Sequence, residues 1–222
     1  MGRFYKIDSK RSYPSVTTIL DATLPEPEGL KRWKKRTKNW EQIRDYKAKN
    51  GTIIHYRILN KLSPSRLELP DFPQSEFPDG ATDYADISTS MFSELSIEFG
   101  FPRYVEHTVY SHTYKFAGTL DLAAPAKFKN DDDFIFTVFD LKTSSGVRER
   151  YFYQVAAYWL ALTEMTGNRA KRGAIIVIHP YIEKNRTLKP TVEPIYEKDL
   201  HHYSLEFIKL VEKFYETAGD HQ

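Results

Sequence analysis

The sequence predicts an α/β protein: a mixed β-sheet flanked by helices, preceded by a helical N-terminal elaboration. Three observations point there. The first hundred residues carry apolar residues at helical spacing. The stretch from Arg103 to Thr143 then switches to three aromatic and β-branched runs of strand length. A long amphipathic pattern, another apolar strand and a terminal helix follow, and such an order packs as a sheet with helices against it.

Taken in order, "YPSVTTIL" opens a helix, with Ser15 as the N-cap and Val16, Ile19 and Leu20 on one face. A second helix is expected from about Glu28 to Asn50, stopped by Gly51. A third follows from Thr52, with Ile54, Ile58 and Leu62 on its apolar stripe. Residues 63–81 hold a cluster of prolines and no period, which predicts a long loop. "DYADISTSMFSELSIEFG" reads as a helix ending at Gly100. "RYVEHTVYS", "YKFAGTLDLAA" and "DFIFTVFDLKT" are successive strands, the first two joined tightly near His112 and Thr113. "RYFYQVAAYWLALTEMTG" is a strong helix, "RGAIIVIHP" a buried strand, "TVEPIY" a weaker strand and "DLHHYSLEFIKLVEKFYETA" a terminal helix.

Composition bounds the function. The chain has 222 residues, no cysteine and a net charge of +2. One domain, or one domain with an appendage, fits that length. The missing cysteines exclude disulfides, cysteine-bound zinc and a cysteine nucleophile. Neither a secretory leader nor a membrane-length apolar run is visible, so an intracellular, cytoplasmic protein (host cytoplasm if viral) with no membrane partner is expected. Any nucleic-acid surface has to come from local clustering of cations rather than net charge.

The chemistry concentrates on "FTVFDLKTSS". Asp140 and Lys142 end an apolar strand two residues apart, so they project to the same face. An ion pair at a strand end explains them; so does a metal site with a lysine beside it. Asp121, nineteen positions earlier in the preceding strand, strengthens the second explanation. Two carboxylates brought together by strand pairing repel unless protonated or bridged by a cation. Oxygen ligands suit Mg²⁺ or Mn²⁺, and acid, acid and lysine around a hard cation suit phosphoester hydrolysis. Gln154 and Tyr158, four apart, share a helical face and fit a buried hydrogen-bonded pair as well. His55, early on its helix, also fits a capping or packing role. "NDDD" at 130–133 lacks EF-hand spacing and reads as a solvated hairpin tip.

Gly118-Thr119-Leu120-Asp121, Asp140-Leu141-Lys142 and Gln154-Val155-Ala156-Ala157-Tyr158 together resemble the PD-(D/E)xK nuclease superfamily, and in particular its RecB-like exonuclease branch, with GxxD, DxK and QxxxY in that order. "YPSVTTIL" and "GTIIHYRIL" are similar to the PSVT and GxxxH segments of phage-type and mitochondrial genome-maintenance exonucleases. The likeness spans roughly residues 13–160. It implies a restriction-endonuclease-like core over residues 101–222, with a helical elaboration over residues 1–100 covering the site. It implies one or two Mg²⁺ or Mn²⁺ ions on Asp121, Asp140, His55 and the backbone carbonyl of Leu141. Lys142 is then the catalytic lysine, and Gln154 and Tyr158 the helical motif near the scissile strand. Glu106 stands where this branch often has an acidic residue. With no cysteine, the four-cysteine iron–sulfur cluster of some branch members is ruled out.

The function so implied is a metal-dependent DNA exonuclease acting from ends or single-stranded tails, in replication, recombination or repair, with proteins of those processes as partners. A structure-specific or restriction-type endonuclease on the same core is the rival enzyme, and a non-catalytic DNA-binding protein the rival from another class. Two basic groups are candidate phosphate contacts. One is "KRWKKRTK", with Lys31, Arg32, Lys34, Lys35 and Arg36 and with Trp33 and Trp40 expected on one, mostly buried, helical face. The other is Arg148 and Arg150, just ahead of the Gln154 helix, where a helix N-terminus favours an anion.

Overall fold

The structure is a computed structural model and describes residues 2–65, 67, 81–178, 182–183, 186–187 and 189–219. It opens with a small hairpin, β1 (Phe4–Lys6) and β2 (Ser12–Pro14), which the sequence pattern did not predict. Helices α1 (Val16–Thr23), α2 (Glu28–Arg36), α3 (Trp40–Leu62) and α4 (Ala81–Ser93) follow. Then come β3 (Ile97–Phe99), β4 (Tyr104–Ser111), β5 (Phe116–Phe128), β6 (Ile135–Lys142), α5 (Glu149–Thr166) and β7 (Arg172–Val177). The chain closes with β8 (Ile182–Glu183), β9 (Arg186–Thr187), β10 (Thr191–Tyr196) and α6 (Glu197–Gly219).

Six strands form one mixed sheet in the order β10-β7-β6-β5, with β3 and β4 sharing the outer edge of the long β5. Only β6 and β7 run parallel, as expected for strands joined by a crossover helix, α5. Helices cover both faces. On one, Val16, Ile19 and Leu20 of α1, Val155 and Leu162 of α5, and Phe207 of α6 pack on Phe116, Leu120, Val138 and Ile175. On the other, Ile54, Ile58 and Leu59 of α3 and Met91 of α4 pack on Leu122, Phe139, Leu141 and Ile176. Strand alternation supplies both cores: Val138 and Ile175 face α5, while their neighbours Phe139 and Ile176 face α3. A sheet covered on both faces reads as continuous apolar runs, which is how β6 and β7 look in sequence.

Several sequence expectations need correction. The helix expected to stop at Gly51 runs through it; the break falls instead at residues 37–39, between α2 and α3. A helical glycine weakens a helix by about 1 kcal/mol relative to alanine but does not end one where tertiary packing holds the next turn. Because of the break at 37–39, Trp33 and Trp40 lie on different helices and share no stripe. Trp33 is exposed, and none of the α2 residues is buried. Trp40 is half-buried beneath Lys34, whose Nζ lies 4.6 Å from the ring centroid. The helix expected to reach Gly100 ends at Ser93, and Ile97–Phe99 instead pairs with β5. The proline-rich loop falls mostly outside the described residues. No helix among the described residues is long and apolar enough to cross a membrane.

One irregularity positions the site. In β5 the even-numbered side chains change faces: Leu120 points to the α5 core, Leu122 and Ala124 to the α3 core. In β4 the odd-numbered side chains do the same between Val109 and Val105. Both changes fall on one rung. Val105 pairs with Leu122 and His107 with Leu120, but the rung between them, Glu106 opposite Asp121, is missing from the ladder. Glu106 there adopts φ 46°. Left-handed backbone at a non-glycine residue costs on the order of 1–3 kcal/mol and persists only where surroundings enforce it.

Candidate metal centre

Asp121 lies at the point where the sheet opens. Pairing of β5 with β6 ends at Leu122 and Phe139. Beyond it the strands part, and Oδ2 of Asp121 accepts the backbone N–H of Leu141 at 2.6 Å. The face change in β5 turns both Asp121 and Leu122 toward the α3 side. There α3 brings His55, held by the flanking core residues Ile54, Ile58 and Leu59. His55 Nδ1 lies 3.7 Å from Asp121 Oδ1. The carboxylate of Glu106 completes a group in which one ligand atom from each of His55, Glu106 and Asp121 lies within 4.8 Å of the others.

Asp140 stands outside that group. It shares the parity of Val138 and so faces the α5 side, fully buried. Lys142 Nζ lies 2.8 Å from its Oδ1 and 2.7 Å from its Oδ2. The shorter approach has poor hydrogen-bond geometry, so Oδ2 has no hydrogen-bond partner although the ion pair is close. The Lys142 ammonium also lies 5.1 Å from the centroid of the Tyr151 ring. Leu141, between the two charged residues, packs on the α3 side. The same-face expectation for Asp140 and Lys142 is therefore met.

The electrostatics describe crowded charge. Burial, and then the Asp121 charge beside it, push the Glu106 carboxyl up to about 7. The Glu106 side chain is open to solvent on one side, so water screens part of that push. Burial and the Asp121 charge likewise raise Asp140 to about 6, against the opposing effect of Lys142. Burial works against the charged form of Asp121, but His55, Lys142 and the Leu141 N–H outweigh it and hold its carboxyl below the ordinary value. For His55 and Lys142, burial favours the neutral form and the facing carboxylates prevail, so both are raised.

These groups open onto a cleft of about 930 Å³. Asp121, Glu106, His55 and Lys142 line it, together with Arg3, Thr119 and Thr143. Gln154 and Tyr158 do not. They are buried on α5, with Gln154 Nε2 donating to Tyr158 Oη at 3.0 Å. The Tyr158 ring packs against Gly118, where an added Cβ would come within 2.5 Å of Cε1. Burial, and then Asp140 and Asp121, raise the Tyr158 hydroxyl well above its ordinary value.

None of the basic residues of α2 lines the cleft. Lys31 pairs with Glu28 at 2.6 Å, and Lys34 pairs with Glu26. Arg148 occupies the N-cap of α5 and Arg150 pairs with Asp21 at 2.6 Å; neither lines the cleft. Thr17, within the PSVT segment, lines it too. Arg3 also lines it and carried no signal in the sequence, because the chain ahead of β1 reaches the site only through tertiary docking.

The donor set fits a divalent cation. Two carboxylates and an imidazole converge, and two donors 3.7 Å apart can share an ion at roughly 2.1 Å from each. Burial is the first cause of the raised Glu106 carboxyl, and a cation bound there would offset the second, the Asp121 charge.

No family model matches the chain, and no curated protein matches it. Sixteen chains of solved structures match. One, described as the crystal structure of SSO0001, is 14% identical, with 72% of this chain and 73% of that chain covered and a TM-score of 0.28. A likeness of that size carries no argument about function.

Proposed function

We propose that the protein is a metal-dependent deoxyribonuclease of PD-(D/E)xK type, with a restriction-endonuclease-like core from about residue 101 and an N-terminal helical elaboration that covers its site. The observation that carries this reading is the convergence of His55, Glu106 and Asp121 in one cleft with Lys142, whose ammonium the buried Asp140 holds from behind. A hard cation on the first three residues would polarise a phosphoryl oxygen and acidify a bound water. His55 must be neutral and Glu106 ionised to hold it, so the site exchanges protons for the metal.

Lys142 acts as a fixed positive charge. Its carboxylate neighbours keep it protonated, so it serves charge developing on the phosphoryl oxygens, or orients water, rather than accepting a proton. Asp140 anchors that ammonium. Gln154 and Tyr158 act as positioning residues: they brace β5 at Gly118, three residues before Asp121.

The helical cover favours a strand led in by its end over an unbroken duplex, hence an exonuclease. The test is Mg²⁺- or Mn²⁺-dependent digestion of linear and covalently closed DNA, single- and double-stranded, labelled at either end. Metal-dependent release of nucleotides from linear DNA alone supports the reading. Cutting of closed circles makes the protein an endonuclease on the same site. Binding without cleavage under any metal leaves a non-catalytic DNA-binding protein.

A further inference from the structure

A second cavity, of about 630 Å³, adjoins the cleft and shares two lining residues with it, Arg3 and Thr17. His55, Glu106, Asp121 and Lys142 line only the first cavity, so Arg3 stands on the rim the two share, near enough for its charge to act on the Glu106 carboxylate. The backbone of Arg3 is fixed at both ends. Its N–H donates to Thr18 Oγ1 at 2.9 Å, and its carbonyl accepts from Ser15 N at 2.8 Å. Gly2 permits this approach, since a Cβ there would fall 2.2 Å from Thr18 Cγ2.

The side chain is equally placed. The guanidinium lies 4.6 Å from the centroid of the Tyr5 ring, and Tyr5 Oη is 2.9 Å from Thr119 Oγ1, two residues before Asp121. Among the described residues no ion pair engages Arg3, whereas Lys142 is held by Asp140. The Arg3 charge acts on Glu106 without a close ion pair, so a guanidinium seated over Tyr5 keeps its donor fork for an anion with two oxygens.

We propose that Arg3 is a phosphate-positioning residue, holding a backbone phosphodiester of the substrate strand adjacent to the scissile one where the two cavities meet. The proposal rests on the nuclease reading and adds the direction in which the strand leaves the metal site: over Arg3, along α1. The consequence is energetic rather than chemical. A phosphate contact contributes to binding at every sequence and releases counterions.

The test compares the unmodified 222-residue chain with Arg3→Ala and Arg3→Lys on two substrates. One is a mixed-sequence single-stranded oligodeoxynucleotide, the other bis(p-nitrophenyl) phosphate, which has a single phosphodiester. Arg3→Ala should raise KM for the oligonucleotide about tenfold, the loss falling on KM rather than kcat. It should also make the slope of log affinity against log salt shallower by about 0.7. The penalty on bis(p-nitrophenyl) phosphate should be about tenfold smaller, and Arg3→Lys should restore the salt slope. If oligonucleotide KM and salt slope are unchanged while metal-dependent hydrolysis persists, the Arg3 assignment fails and the nuclease reading stands. Equal loss of kcat on both substrates would place Arg3 at the reacting phosphate and also overturn it. Absence of both binding and hydrolysis in the unmodified protein overturns the two together.

Discussion

Asp121 accepts the N–H of Leu141 at 2.6 Å across the point where β5 and β6 separate. One carboxylate thus latches two strands while presenting its other oxygen to His55. Asp121→Asn keeps an acceptor for Leu141 and removes the charge. It should leave the fold intact and abolish both Mn²⁺ binding and hydrolysis, read by calorimetry and nuclease assay. Full activity at saturating metal would end the assignment of Asp121.

Lys142 and Asp140 form a buried pair, with side-chain exposures of 17% and 1%. Lys142→Ala strands a carboxylate in the interior, at a cost of about 3–5 kcal/mol when it is charged. Asp140 already sits at about 6, above its unfolded value, and loses its main lowering influence in the variant. Its stability penalty should therefore grow as pH rises from the unfolded carboxylate range through and beyond 6. Denaturant titrations at about pH 5 and about pH 8 should differ, with the larger loss at the higher pH; equal losses would mean the carboxylate finds another partner.

The metal-free protein should lose stability with rising pH. Glu106 at about 7 and Asp140 at about 6 are raised carboxyls that hold protons the unfolded chain releases near about pH 4–4.5. His55, raised as well, adds stability below its unfolded value that is lost as pH climbs through its folded value. All three have the same sign. Melting temperatures in chelator should fall between about pH 4.5 and about pH 7.5, and Glu106→Gln should flatten that fall. A rise over this window in the unmodified protein would contradict the site's charge balance.

Metal affinity should increase across the same range, because Glu106 and His55 must shed protons to ligate. Calorimetry in buffers of different ionisation enthalpy should detect proton release at about pH 6.5 and less at about pH 8. His55→Ala should weaken Mn²⁺ binding more than Mg²⁺ binding, since imidazole suits the softer ion.

Gly118→Ala should destabilise by about 1–3 kcal/mol through overpacking against Tyr158. The clash is with a ring carbon, so Tyr158→Phe should not relieve it. Thermal denaturation of the two single variants and the double variant decides this.

Much of this architecture is readable from residue pattern. The apolar, β-branched and aromatic runs around Asp121 and before Lys142 mark β5 and β6, and the two-residue spacing of Asp140 and Lys142 gives their shared face, because strand geometry is local. What pattern could not give is the missing rung at Glu106. Its left-handed backbone and the face change it accompanies belong to the pairing of β4 with β5, which the period of either strand alone does not record. The break between Trp33 and Trp40 was hidden for a related reason: "TKN" carries no proline or glycine, and the continuity through Gly51 is settled by Ile53 and Ile54 packing in the core. Arg3 lies beside a three-residue strand too short to show any period.

The missing rung has one more consequence. His55, Glu106 and Asp121 lie far apart along the chain, and His55 belongs to α3, a separate helix that packs on both α4 and the sheet. In an unfolded chain the three ligands never meet at useful concentration. An ion bound by the three would therefore work as a clamp between α3 and the sheet, stabilising their docked state more as its concentration rises above its dissociation constant. Chelation should act first on that seam. In amide hydrogen exchange, α3 should gain exchange in chelator while β6 and β7 stay protected, so the cation that equips the cleft would also set how firmly its cover is shut.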